Sequence, residues 1–301
     1  MTTPFQNSPK FPVGKFILAG VALLALLLVF KMPKFSQRLQ SKSRIEETKT
    51  AKKEAKRIAG EKYKQETESL DIEMIFVEGG TFMMGCTKEQ EGDCVLALYN
   101  YGLGKNMEFD WERPAHQVTV SSFNIGKYEV TQAQWVAVMG SNPSRIRGNN
   151  LPVHGISWYN AQEFIIRLNE LTGKKYRLPT EAEWEFAARG GNKSLGYKYS
   201  GSNTVTEVAP PARRLYRVGS LQPNELGIYN MSGNVGEWCN DRFELYSGDA
   251  KTNPQGSSTS DRRVVRGGGL HDKIQSFRVS SRFPKPPDRT FQDDGLRLVH
   301  P

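Results

Sequence analysis

Apolar side chains return every three to four residues in three stretches of this chain, and each stretch opens on a residue able to cap a helix. Thr131-x-x-Gln134 is a capping-box pattern ahead of Trp135, Val138 and Met139, and Gly140 is placed to end the helix. The spacing predicts a short helix over Thr131–Met139. Ser157 precedes Trp158, Ala161, Phe164, Ile165, Leu168 and Leu171, with Gly173 as terminator, which predicts a longer one. Thr180-x-x-Glu183 follows Pro179 and opens a third helix whose buried face is Trp184, Ala187 and Ala188. Core packing is the expected role of these aromatics, and Glu183 reads as a capping carboxylate rather than a catalytic one.

Elsewhere the pattern is short-range. Met74–Gly80 alternates and ends on a Gly-Gly turn, and Thr81–Gly85 continues it. His116–Val120 and Phe123–Tyr128 alternate, and short strands are expected around Val264–Arg266, Phe277–Ser281 and Gly295–Val299. Ser194–Val218 is rich in Gly, Ser, Pro and Arg and reads as irregular. Asn224–Asp241 has too much Gly and Asn for a helix and lacks the alternation of a long strand, yet Ile228, Tyr229, Met231, Val235 and Trp238 call for burial. A polar backbone held among apolar side chains needs partners for its amides. Asn234 and Glu237 suit that task, or could serve as ligands for a hard cation such as calcium.

The front of the chain differs. Residues 1–15 form a tail, and Phe16–Phe30 is an uninterrupted apolar run flanked by Lys15 and Lys31. It is shorter than the usual span of about 20 residues, but the lysines can snorkel. No small-x-small cleavage site follows before Lys31-Met-Pro-Lys, so an uncleaved transmembrane anchor is expected over 16–30 in preference to a signal peptide. Residues 31–70 are a charged linker, in which Ser41–Leu70 mixes Lys, Glu and Ala. Favourable and unfavourable pairs there roughly cancel, which predicts a frayed helical stalk ahead of a domain over 71–301.

Charge then narrows the partners. The net charge is +9, but residues 1–30 contribute two lysines and 31–70 carry 12 basic against 6 acidic side chains. The region after 70 is therefore nearly neutral, and nucleic acid is not an expected partner. The same basic excess just after the apolar run favours a cytoplasmic domain by the positive-inside rule. The cysteines point the other way. Cys86 and Cys94 bound a polar loop and read as a disulfide, which implies an oxidising compartment and contributes roughly 2–3 kcal/mol; two reduced thiols are the alternative. The expected localisation is a single-pass membrane protein with its domain exported to the periplasm or cell exterior.

Six ordered motifs carry a resemblance over roughly 71–301. They are Val77-Glu-Gly-Gly-Thr-Phe-Met-Met-Gly85, Gly126-Lys-Tyr-Glu-Val-Thr-Gln-Ala-Gln-Trp135, Arg177-Leu-Pro-Thr-Glu-Ala-Glu-Trp-Glu-Phe-Ala-Ala-Arg-Gly190, Gly233-Asn-Val-Gly-Glu-Trp238, Arg266-Gly-Gly and Gly295-Leu-Arg-Leu-Val299. Together they resemble the formylglycine-generating enzyme, or sulfatase-modifying factor, family. The resemblance implies an α+β, elaborated C-type-lectin-like domain with much irregular structure. It also implies structural calcium at Asn234, Glu237 and backbone carbonyls such as that of Val235. Gly201-Ser-Asn resembles a segment near which some members hold a second cation, but Pro210-Pro-Ala-Arg-Arg departs from the pattern that follows it.

The catalytic residues are a different matter. Members that make formylglycine hold copper(I) with two cysteines after Arg-Gly-Gly, and soft thiolates suit that ion. The corresponding segment here, Arg266–Arg282, has no cysteine. An ergothioneine-pathway branch binds iron through three ligands that include a paired-histidine motif. The four histidines here, at 116, 154, 271 and 300, contain no such pair. Neither copper nor iron is expected, and His154 reads as a turn or packing residue. Three islands of mixed chemistry, Gly269–Phe277, Phe283–Pro287 and Thr290–Asp294, interrupt the C-terminal framework. They resemble the variable segments of retroelement-diversified proteins of this fold, and several of their residues are reachable from an Asn codon by mutation at adenines. The expectation is a non-catalytic, membrane-anchored domain that binds a protein or small molecule through Leu270, His271, Phe277, Phe283 and Phe291 on one exposed face. The alternative is an oxidase converting a target cysteine to formylglycine, or a related modifying enzyme.

Overall fold

All three expected helices begin on a closed capping box in the computed structural model. It describes residues 72–87, 97–99, 107–109, 111–209 and 214–301, with residue 70 and scattered positions between 44 and 54. The chain divides into two units, Met1–Gln65 and Glu66–Pro301. In the first, the described positions are helical, with Thr48 and Thr50 hydroxyls donating to the carbonyls of Arg44 and Glu46. The apolar run 16–30 lies outside the described residues, among which no helix is long and apolar enough to cross a membrane.

In the second unit, α1 (Gln132–Met139) is capped by Thr131. The Thr131 hydroxyl accepts from the Gln134 amide at 3.2 Å, and the Gln134 side chain accepts from the Thr131 amide at 2.9 Å. Helix α2 (Trp158–Thr172) does the same with Ser157 and Asn160, and α3 (Glu181–Ala188) with Thr180 and Glu183. Gly140 and Gly173 end the first two at positive φ, where a Cβ would be strained. Trp135 stacks on Phe164, joining α1 to α2.

Three small sheets surround these helices. Strands β1 (Met74–Val77), β6 (Phe123–Gly126) and β12 (Val299–His300) form one, in the order β1-β6-β12; β2 (Gly80–Met84), β5 (His116–Val120) and β8 (Lys251–Thr252) form the second. The third runs β10-β9-β7-β11, from β7 (Gly236–Arg242), β9 (Arg263–Arg266), β10 (Arg282–Lys285) and β11 (Asp294–Gly295). A separate hairpin pairs β3 (Ala97–Tyr99) with β4 (Met107–Phe109).

The third sheet departs from the sequence reading. The C-terminal half of the Gly- and Asn-rich stretch is a seven-residue strand at the sheet's centre. Both of its faces are covered, with Glu237, Trp238 and Cys239 all buried, so no polar-apolar alternation marked it. Phe277–Ser281 is not a strand. Ile274–Phe277 is a 3₁₀ turn, and pairing resumes only at Arg282, opposite Arg266. In Gly295–Val299 only the two ends join ladders. The described residues of Ser194–Val218 hold one turn of helix, α4 (Val205–Val208), and an isolated bridge between Tyr199 and Ser202.

Candidate ligand cleft

Helix α3 is buried together with two of its acids, Glu181 and Glu185. Carboxylates survive burial when paired and hydrogen-bonded. Arg282 meets Glu181 with two bonds of 2.6 Å, and Arg266 meets Glu185, which also takes Arg189 at 2.6 Å and the Gly85 amide at 2.8 Å. Arg278 holds Glu112 through two bonds of 2.7 Å, and Lys285 holds Asp294 at 2.6 and 2.8 Å. Cations of the C-terminal segment are thus locked to the scaffold on both sides of residues 267–277.

That segment leaves β9 through Gly267 and Gly268, at φ 85° and 72°. A Cβ on Gly268 would sit 2.8 Å from the Phe277 ring, so the turn needs glycine. Two aspartates then shape the loop. Asp272 Oδ2 accepts from the Gly269 amide at 2.8 Å, and Asp293 Oδ2 from the His271 amide at 3.0 Å. Burial pushes the Asp272 carboxyl up, against the pull of Lys285.

Between this loop and the stretch around residue 215 lies a cleft of about 350 Å³, lined by Leu270, His271, Lys273 and Phe277 on one side and Arg214 and Tyr216 on the other. His271 is 57% exposed, with Nδ1 3.5 Å from Asp293 Oδ2. The Arg214 guanidinium lies 4.8 Å above the Tyr216 ring. Asn234 closes the back. Its φ is 65°, its Oδ1 accepts from the Tyr216 amide at 2.9 Å, and its Nδ2 donates to Glu129 at 2.7 Å.

The five residues expected on one exposed face are divided. Leu270 and His271 line the cleft, and Phe277 forms its floor. Phe277 is itself buried, packed with Tyr199, Val208 and Ala209. Phe283 sits on β10 inside the main core, and Phe291 is half-buried with the Lys285 ammonium 4.6 Å over its ring. The expected exposure of Phe277 and Phe283 is therefore corrected. A segment without period gives no sign of which aromatics a neighbouring sheet will cover. Sequence reasoning also passed over Arg214 and Tyr216, which stand in the stretch read as irregular and carry no periodic signal.

Calcium was expected at Asn234, Val235 and Glu237. Glu237 is fully buried, and both its oxygens have protein donors: Arg297 at 2.7 to 3.1 Å and Trp184 Nε1 at 2.7 Å. No group of three or more His, Cys, Asp or Glu positioned for a metal occurs among the described residues. The oxygens of Asn234, Val235 and Glu237 do not form a ready cation cradle, because Arg297 supplies the positive charge at Glu237. One acceptor nearby is unsatisfied, Glu129 Oε2, and burial pushes that carboxyl up to about 7. Cys86 is buried just beyond β2; Cys94 lies outside the described residues, and so does any bridge to it. Cys239 is a free thiol in the core, pushed up by burial and by the charges of Asp241 and Glu181. His154 is buried, its Nδ1 3.2 Å from the Pro152 carbonyl and its Nε2 accepting from the Ile146 amide, as suits a packing residue.

Comparison with known proteins fits this architecture. The chaperone protein LppX of Paenibacillus barcinonensis is 36% identical over 237 residues, covering 60% of this chain and 81% of LppX. The formylglycine-generating enzyme of Streptomyces coelicolor is 32% identical over 197 residues, covering 55% of this chain; the match spans only 60% of that enzyme. Among solved structures, Treponema denticola variable protein 1 superposes with a TM-score of 0.62 at 27% identity, covering 75% of this chain and 94% of that one. The profile of the sulfatase-modifying factor enzyme 1-like domain matches residues 59–301, a span that takes in every sheet, the buried ion pairs and the cleft, and the chain belongs to that family.

Proposed function

We propose that this protein is a non-catalytic member of its family that binds a ligand in the cleft between the His271 loop and Tyr216. The observation that carries the reading is the placement of thiols. The sequence has three cysteines, none lies between Arg266 and Arg282, and Cys239 is closed inside the core with its thiol pushed up. A copper(I) centre needs accessible thiolates beside the substrate. The loop that replaces such a site is instead a rigidly framed recognition element, with ion pairs on either side of it.

In this reading the apolar run Phe16–Phe30 anchors the chain in a membrane and residues 31–70 act as spacer to an exported domain. Structural calcium has no part in this reading, because Arg297 and Trp184 already satisfy both oxygens of Glu237. The likeness to a variable protein supports a diversified loop, which a near-copy of this coding segment beside a reverse-transcriptase gene would establish.

The test is incubation of the full chain with copper(I), oxygen and a peptide carrying Cys-x-Pro-x-Arg, followed by mass spectrometry for the aldehyde. No aldehyde is expected. Its formation would overturn the reading in favour of an oxidase that converts cysteine to formylglycine.

A further inference from the structure

The charges around the cleft are unbalanced. Arg214 and Lys273 are exposed on its two sides, and neither has a carboxylate partner among the described residues. Arg266, Arg278, Arg282, Lys285 and Arg297, by contrast, are each paired with a carboxylate. Asp272 lines the cleft too, but its Oδ2 is turned to the Gly269 amide within the loop. His271 adds an exposed imidazole, steadied through Nδ1 by Asp293. Beneath these polar groups the surface is apolar, built from Phe277, Leu270 and Ala209.

We propose that the cleft takes a small ligand with an anionic head, carboxylate or phosphate, bound between Arg214 and Lys273, and an apolar body resting on Phe277 and Leu270. The proposal rests on the reading of the cleft as the binding site. A volume of about 350 Å³ suits a small molecule or one side chain of a larger partner. The near neutrality of the region after residue 70 disfavours a polyanion, which needs a continuous basic track. Guanidinium and ammonium groups give charge-assisted bonds to carboxylate and phosphate oxygens, stronger than neutral ones.

Titration calorimetry on the full chain tests this, with phenyl phosphate, benzoate and the neutral benzyl alcohol as probes. At least one anion is expected to bind at least about tenfold more tightly than the alcohol. Raising salt from about 50 to about 500 mM weakens the anion alone. Arg214→Gln and Lys273→Gln each lower anion affinity roughly tenfold and leave the melting temperature unchanged, since both side chains are exposed. Preference for phenyl phosphate or for benzoate separates the two head groups. Equal affinity for anion and alcohol overturns the anionic ligand while leaving the cleft as a binding site. Anion binding indifferent to both variants overturns it as well, as does absence of binding by all three probes. Aldehyde formation in the copper assay would instead sink the non-catalytic reading without touching this one.

Discussion

Arg297 and Glu237, 60 residues apart, are joined inside the core by bonds of 3.1 and 3.0 Å from Nε and 2.7 Å from Nη2. Trp184 Nε1 adds a fourth bond to the same carboxylate, so helix α3, strand β7 and the last residues of the chain meet at one buried charge.

Breaking that pair should be severe. Arg297→Met leaves Glu237 buried without its cation and is expected to cost about 3–5 kcal/mol in urea denaturation. The double variant Arg297→Met with Glu237→Gln should cost less, because only Glu129, 3.9 Å from the guanidinium, is then left without its cation. With the wild-type pair intact, a chelator is expected to leave the melting temperature within about 1 °C. A larger drop, reversed by calcium, would mean that an ion rather than Arg297 balances Glu237.

Asp241 should draw stability down as pH rises from about 4 to about 8. Burial, reinforced by the charge of Glu181, pushes the Asp241 carboxyl up to about 8. The folded chain therefore holds a proton there that the unfolded chain releases near pH 4, and the stabilisation is complete below that pH and lost as pH climbs through the folded value. Asp294, raised by burial to about 6, acts in the same direction. Asp241→Asn, which imitates the protonated acid, should flatten the decline in melting temperature between pH 5 and 8; an unchanged slope would place the titration elsewhere.

Phe283 and His271 separate core from cleft. Phe283→Ala opens a hole beneath β10 and is expected to cost about 3–5 kcal/mol of stability. His271→Ala removes an exposed ring and should change stability by no more than about 0.5 kcal/mol. Comparable losses in chemical denaturation would show that the His271 loop is part of the packed core.

A Cys86–Cys94 bridge should appear on peptide mapping of unreduced protein. Two alkylatable thiols at these positions in freshly prepared native protein would remove the bridge, and with it the reason for placing the domain in an oxidising compartment.

The helices were legible in the chain itself. Thr131, Ser157 and Thr180 cap amides three residues away, and Trp158 to Leu171 declare a face at helical spacing. Such signals are local, so they need no knowledge of the fold. The family motifs were equally plain, since they are fixed strings of residues. Tertiary structure decided what depends on distant partners. Strand β7 carried no alternation because covers from both sides made both faces core. Glu181 became structural only when Arg282, 101 residues on, reached it. Phe283 and Leu270 look alike in a period-free segment, yet one lies under a sheet and the other lines a cleft whose far wall, Arg214 and Tyr216, comes from a stretch without regular structure. Capping and periodicity act within a few residues, whereas burial and charge pairing are settled by whichever segment folds against them.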